Sequence, residues 1–207
     1  MSTSVIAPAS ATTVIAPALA TTAIAPALTV RWATREDYAN ILALQETNYI
    51  DNLPDNQRKD GFLSARMWES QMDEIGSDAG IAVAYEDGVF LGFFCVSQVK
   101  HWQPESIVHR LVHSLKADFQ ETRVDDPEKF CVFGPMCITA SARGKDVLKN
   151  LYDYATSELE GRFHTGVGFI STKNPRSLGA VAKLGWKPKG IFRWSDRELY
   201  ALIHNLA

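Results

Sequence analysis

Two segments contain the residues whose types and spacing suit ligand chemistry. The first, ITASARGKDVLKNLYDY at 138–154, is typical of a strand end, a basic turn and a helix. Arg143 and Lys145 stand at the start of this helix, where a cation is disfavoured by about 0.3–1 kcal/mol. Free amides at a helix start bind anions such as a diphosphate, nearby cations strengthen that binding, and Gly144 lets the anion approach. The alternative is an ordinary turn with solvated basic side chains.

The second segment is the strand FCVFGPMCIT at 130–139, which Gly134-Pro135 interrupts. Proline has no N–H to donate, so the pattern predicts a bulge or an edge, with a plain structural kink as the alternative. Further along, Asn174 precedes Pro175, which is typical of a helix N-cap followed by a proline in the first helical position.

Cysteine and histidine residues allow two further interpretations. Cys131 and Cys137 lie six residues apart on the same strand, and a nucleophilic thiol is conceivable, although buried inert thiols are the more common case. His109 and His113 follow Glu105 at helical spacing, which suits either a metal site or a face turned to water. The three cysteines form no close pair, which favours reduced thiols in a cytoplasmic protein.

Composition limits the function classes. The chain has 207 residues, enough for one substantial core, and its net charge of −3 argues against a general nucleic-acid surface. No long unbroken apolar run predicts a membrane helix. Residues 1–27 repeat with a nine-residue period (VIAPASATT, VIAPALATT, AIAPALTV) and contain prolines but no charge, which predicts an extended low-complexity tail, with a degenerate targeting segment as the alternative.

The hydrophobic pattern of the remaining residues, 28–207, predicts one domain with a mixed sheet flanked by helices. The predicted elements, in chain order, are a strand at 28–34, helices at 35–50 and 62–75 around a loop at 52–61, a hairpin at 80–100, a polar stretch at 101–129 with one short helix, a strand at 130–139, a helix at 144–160, a strand at 166–172, a helix from 174 to about 184, and strands at 187–194 and 197–204.

The segments CITASARGKDVLKNLY and NPRSLGAVAKLGW resemble the two acetyl-CoA-binding segments of the GNAT acetyltransferase superfamily, in the same order and about thirty residues apart. The resemblance covers residues 28–207 and implies an α/β (α+β) fold, with a mixed, mostly antiparallel sheet. It implies an N-acetyltransferase that moves an acetyl group from acetyl-CoA, its cosubstrate, to an amine of a small molecule or protein. The implied cofactor contacts are Met136, Cys137, Ile138, Arg143, Gly144, Lys145, Asp146, Val147, Leu148, Asn174 and Ser177.

This sequence departs from the GNAT pattern at several positions. Asp146 stands where the family has glycine, Leu148 where it has glycine or alanine, and Val181 where many members have a tyrosine acid. The strand at 130–139 lacks the usual carboxylate base. A non-catalytic acyl-CoA sensor or partner-binding module is therefore the alternative, and a homodimer stays open. Substitute proton-transfer groups are left open among Tyr49, Glu74, His101, His109 and Glu128.

Overall fold

The computed structural model describes residues 27–206, so most of the predicted repeat tail lies outside the described residues. The strands are β1 (Leu28–Trp32), β2 (Gly80–Glu86), β3 (Val89–Ser97), β4 (Phe130–Ile138), β5 (Thr165–Ser171), β6 (Lys187–Trp194) and β7 (Arg197–Asn205). The helices are α1 (Tyr38–Asn48), α2 (Asp55–Arg58), α3 (Glu69–Asp78), α4 (Ile107–Ala117), α5 (Val147–Glu158) and α6 (Pro175–Ala182).

The strands form one seven-stranded sheet in the order β1-β2-β3-β4-β5-β7-β6. Every neighbouring pair is antiparallel except β4 and β5, which are parallel and joined through α5. A parallel pair needs a crossover connection, and the helix supplies it. The predicted mixed, mostly antiparallel fold is confirmed.

Alternating side chains divide the core between the two faces of the sheet. Ile81 and Val83 of β2 pack towards α1, α3 and α4, whereas Ala82 and Ala84 pack towards α5 and α6. This alternation is the period-two pattern of a strand buried on both faces. Within residues 27–206, no helix combines the length and the apolarity needed to span a bilayer.

The predicted helix at 62–75 is wrong over its first half, because α3 begins only at Glu69. Leu63 donates its amide to the Asn48 carbonyl at 2.8 Å and accepts from Ile50 at 3.0 Å, and the Met67 amide donates to Gln45 Oε1 at 2.9 Å. These tertiary hydrogen bonds hold residues 62–68 extended along α1, although their composition suits a helix. The predicted loop at 52–61 contains the short helix α2.

The buried carboxylate of Asp37 joins the segment between β1 and α1 to the β2–β3 hairpin. Asp37 accepts from Arg31 at 2.7 and 2.9 Å, from the Tyr85 hydroxyl at 2.6 Å and from the Thr34 amide at 2.7 Å. Burial raises the pKa of Asp37, but the hydrogen bonds from Arg31, Tyr85 and Thr34 outweigh it and lower the pKa to about 2.

We expect Asp37→Asn to lower the free energy of unfolding at pH 7 by about 2 kcal/mol, because the variant weakens a buried charged hydrogen-bond network. The folded pKa lies below the unfolded value of 3.8, so the contribution is full above pH 4 and is lost as the pH falls towards 2. The difference between variant and parent in urea unfolding should therefore shrink over that interval.

Asp73→Asn is the matched control, because Asp73 pairs with Arg35 at 2.9 Å on an exposed surface. It should change stability by at most about 0.5 kcal/mol. Equal effects of the two substitutions would contradict the role given to Asp37.

Candidate functional site

The strands β4 and β5 run side by side for only three residue pairs. Their pairing ends at Val132 and Val167. Immediately beyond, Gly134 and Pro135 lie opposite the single residue Cys95 of β3, because Phe133 pairs with Val96 and Met136 with Phe94. The backbone of Gly134 has φ +105, which favours glycine. The predicted bulge is thus present, and β5 has diverged where β4 continues.

The bulge is followed by a strand edge whose polar groups have no neighbouring strand on the β5 side. The Thr139 amide donates to the Leu91 carbonyl of β3 at 2.8 Å. Polar groups alternate along an antiparallel ladder, so those of Cys137 also point to β3, and those of Met136 and Ile138 point into the gap. Of the three implied cofactor contacts on β4, Met136 and Ile138 present their amides to this gap, and Cys137 faces it only with its side chain.

A cavity of about 170 Å³ occupies the gap and crosses the sheet. On the α5 and α6 face its wall includes Met136, Ile138, Leu148 and Val181. We call the wall on the opposite face the acceptor end. The acceptor end consists of Asn48, Leu63, Ser64, Ala65, Trp102 and Phe169.

The start of α5 offers amide donors beside this cavity. Five backbone N–H groups in this turn have no backbone hydrogen-bond acceptor within residues 27–206. The first helical hydrogen bond runs from the Asn150 amide to the Asp146 carbonyl. Such free donors and the positive end of the helix dipole favour an anion. The amides concerned are those of Gly144, Asp146, Val147, Leu148 and Lys149.

Arg143 is half-buried and lines the cavity at this helix start. The neighbouring Lys145 pairs with Glu86 at 3.4 Å and does not line the cavity, and Lys149 pairs with Asp153. No acidic side chain in the described part of the chain pairs with Arg143. Arg143 is therefore the cation of this turn that is placed to meet an anion at the cavity.

The other predicted residues of the turn contribute backbone rather than side chains. Gly144 has φ +79 and its position is open, so nothing hinders the approach of a ligand. Asp146 adopts φ +56, a left-handed conformation, which explains why glycine suits this position in the family pattern. Val147 is buried against the core below the turn.

Asn174 and Ser177 both line the cavity, and Asn174 is also a structural residue. Its Oδ1 accepts from the Ser177 amide at 3.1 Å, so it caps α6 as predicted. Its Nδ2 donates to the Phe62 carbonyl at 2.9 Å. Asn174 therefore joins α6 to the segment that forms the acceptor end.

None of the five proton-transfer candidates lines the cavity. His101 is buried, accepts from the Gln98 amide at 3.1 Å and lies 3.0 Å from Asp78, and burial lowers its pKa. His109 bonds the Trp102 carbonyl at 3.1 Å. Val181, the residue at which the sequence resemblance implies a tyrosine, lines the cavity. The titratable groups of the wall are Asp60, Cys137, Arg143 and Arg176.

The thiols are poor nucleophiles. Cys95 and Cys131 are fully buried, which raises the pKa of each. Cys137 is half-buried at the cavity wall, and burial raises its pKa to about 12, although the Arg143 charge acts in the opposite direction. All three are free thiols, and within residues 27–206 no cluster of His, Cys, Asp and Glu side chains could hold a metal.

Much of the acceptor end was not predicted. Leu63, Ser64 and Ala65 fell inside a predicted helix, and Trp102 and Phe169 gave no local signal. Only a three-dimensional contact such as the Asn174–Phe62 hydrogen bond identifies this segment as part of the site.

No family model and no curated protein matches the chain, but solved structures do. A Salmonella typhimurium protein classed as an acetyltransferase, solved with its cofactor acetyl-CoA, has 15% identity and a TM-score of 0.56 over 87% of this chain and 95% of that one. A GNAT-family acetyltransferase of Streptococcus pneumoniae has 12% identity and a TM-score of 0.59 over 87% and 100%. The ribosomal-protein-alanine N-acetyltransferase of Brucella melitensis has 15% identity and a TM-score of 0.56 over 86% and 99%. At these identities the likeness establishes the fold.

We expect iodoacetamide to alkylate Cys137 before Cys95 and Cys131 in the folded protein, because only Cys137 reaches the cavity. The thiolate is the reactive form, so the rate should keep rising about tenfold per pH unit beyond pH 9. Peptide mapping by mass spectrometry gives the site and the rate.

Cys137→Ser is the control and should leave the folded protein unlabelled over the same period. A rate that levels off near pH 8.5 would contradict the raised pKa of Cys137.

Proposed function

Because the chain has the GNAT fold, we propose that it binds acetyl-CoA between β4 and β5 and transfers the acetyl group to an amine. One observation supports the proposal above all others. The gap beside Met136 and Ile138 is continuous with the start of α5, where Arg143 and Leu148 line the cavity and the free amides of the turn lie nearby in sequence. In CoA the diphosphate is covalently linked to the pantetheine arm. The start of α5 and the gap beside β4 are contiguous in the same order.

In this arrangement the diphosphate lies at the start of α5 and the pantetheine arm extends along the open edge of β4 as an additional strand would. The thioester then reaches the middle of the sheet. The free amides of Met136 and Ile138 are the donors for the oxyanion that develops on its carbonyl, and one such donor contributes about 2.7–4 kcal/mol to the transition state.

Holding the amine beside the thioester supplies the remaining advantage, since a bimolecular step becomes effectively unimolecular. A thiol with a pKa near 8.5 is a good leaving group, so transfer requires little help from an acid. The chain's own part in the reaction is therefore binding, alignment and backbone donation. No side chain is assigned as general acid or base.

A non-catalytic acyl-CoA-binding protein is the second candidate. Val181 at the usual tyrosine position and the absence of His, Glu and Tyr from the described cavity wall favour it. The two candidates share the binding site and differ only in turnover.

We expect CoA and acetyl-CoA, but not ATP, to raise the melting temperature, because only the first two carry an arm for the gap. Arg143→Glu should weaken binding about 100-fold and remove this shift, since an anion replaces the cation facing the diphosphate. Lys187→Glu, at an exposed position on β6, makes the same charge change away from the cavity and should keep the shift.

Release of free thiol from acetyl-CoA, measured across a panel of amines, then separates the candidates. Amine-dependent release supports the transferase, whereas a thermal shift without release supports the sensor. A shift that survives in Arg143→Glu would contradict the placement of the diphosphate.

We also expect Asp146→Gly to tighten acetyl-CoA binding about tenfold, because it removes a like charge near the diphosphate. It also relieves a left-handed backbone that costs a non-glycine residue about 1 kcal/mol. Isothermal titration calorimetry measures the affinity.

Asp146→Asn separates the two effects, since it removes the charge and keeps a side chain at φ +56. It should recover most of the gain in affinity with little gain in stability. Unchanged affinity in both variants would place the Asp146 carboxylate away from the bound anion.

A further inference from the structure

The charges around the cavity limit the kind of amine that it can accept. The inference drawn from them rests on the proposed acetyl transfer. Three charged side chains line the wall: Arg143, Arg176 and Asp60. Asp60 pairs with Arg176 at 3.5 Å, and both are about half exposed at the rim. Arg143 has no acidic partner within residues 27–206, and in the proposed complex it faces the diphosphate, so neither it nor the Asp60–Arg176 pair provides an anion for the acceptor.

The acceptor end, as defined above, contains no charged side chain. The diphosphate would lie at α5 on one face, so the acyl carbon faces the other, where Leu63, Trp102 and Phe169 are apolar. The polar residues there are Asn48 and Ser64, and both are neutral. Asn48 donates to the Leu44 carbonyl at 2.9 Å, which leaves it fixed on α1.

Cys137 is the remaining titratable group of the wall, and its thiol stays protonated near neutral pH because burial raises its pKa to about 12. An ammonium ion entering this space would lose its water shell without gaining a counterion. Aromatic faces such as those of Trp102 and Phe169 attract cations, but they return less than that dehydration costs.

The groove outside the cavity is no better suited to a cation. Phe62 and Ser171 separate the cavity from a wide groove between the α1–α2 connection and the β6–β7 hairpin. Five basic and four acidic residues line this groove, so its net charge is positive. Three of its acids are already paired with arginine: Asp51 with Arg197, Asp55 with Arg58 and Glu198 with Arg193.

Residues 1–26 add no acidic or basic side chain, because they contain no Asp, Glu, His, Lys, Arg, Tyr or Cys. We infer that the acceptor is a weakly basic amine on an apolar body, of the aromatic-amine class, and that it enters the cavity uncharged. The neutral nitrogen then attacks the thioester carbon, so that the C–N bond forms and the C–S bond breaks. The nitrogen releases one proton to bulk solvent, and the departing CoA thiolate takes up one proton from it.

The pH dependence of kcat/KM for two amines of similar shape tests this inference. With aniline, which is neutral near pH 7, kcat/KM should be nearly constant from pH 6.5 to 9. With benzylamine, which is protonated there, kcat/KM should rise about tenfold per pH unit over the same range. A rise at one common pH for both amines would identify a base on the protein and would overturn the inference.

A permanent charge gives an independent test. Benzyltrimethylammonium should not compete with aniline, whereas its uncharged isostere neopentylbenzene should. Ser64 is half-buried at the acceptor end and has no side-chain hydrogen bond within residues 27–206, so Ser64→Asp places a counterion there. That variant should bind the quaternary ammonium at least about tenfold more tightly than the parent. The matched Ser64→Asn should not.

The outcomes separate the two proposals. Amine-dependent thiol release together with strong inhibition of the parent by benzyltrimethylammonium would overturn the neutral acceptor and leave the transferase standing. Absence of thiol release with every amine at every pH, while acetyl-CoA still binds, would overturn the transferase and this inference with it.

Discussion

The open edge of β4 is the constraint on which the site depends. Backbone N–H and C=O groups inside a protein need partners, and an unpaired sheet edge is normally covered or paired. Here the additional residue at Gly134-Pro135 shifts β4 against β3, β5 diverges after Val167, and the polar groups of Met136 and Ile138 face a cavity. A ligand that extends like a strand would restore the missing partners, and this is the physical basis for proposing that the arm of CoA occupies the gap.

The sequence predicts this architecture where local signals and tertiary packing agree. Gly134-Pro135 predicted the bulge because proline cannot donate to a ladder, and Asn174-Pro175 predicted the start of α6 because cap and first-turn proline are both local. The segment 62–68 could not be predicted in the same way. Its helical composition is overridden by hydrogen bonds from Leu63 to Asn48 and from Met67 to Gln45, which depend on the prior placement of α1. The predicted cofactor residues Lys145 and Val147 lie at the start of α5, but their side chains do not line the cavity. Lys145 forms a salt bridge with Glu86, and Val147 packs into the core.

Binding and proton transfer place different demands on such a site. The start of α5 and the edge of β4 use backbone groups, which every residue except proline retains, and Arg143 adds a positive side-chain charge at the cavity wall. Proton transfer needs a specific side chain, and Val181 in the cavity wall is apolar. An apolar wall does not argue against the proposed acyl transfer, because alignment and oxyanion donation remain and general acid–base catalysis contributes typically 10²–10⁴-fold. Under that proposal the requirement falls on the substrate, whose nitrogen would enter the cavity neutral.

Asn174 connects these two halves of the site. Its Oδ1 holds the first turn of α6, and its Nδ2 holds the Phe62 carbonyl, from which the chain continues into Leu63, Ser64 and Ala65. Any ligand that displaces α6 would therefore also move the acceptor end. The α4 insertion limits such movement from the other side, because the Trp102 indole donates to Ser97 at 2.9 Å and Glu121 pairs with Lys189 of β6 at 3.1 Å. The acceptor end is thus held between two anchored segments, and its apolar, uncharged surface is a property of the folded chain before any ligand binds.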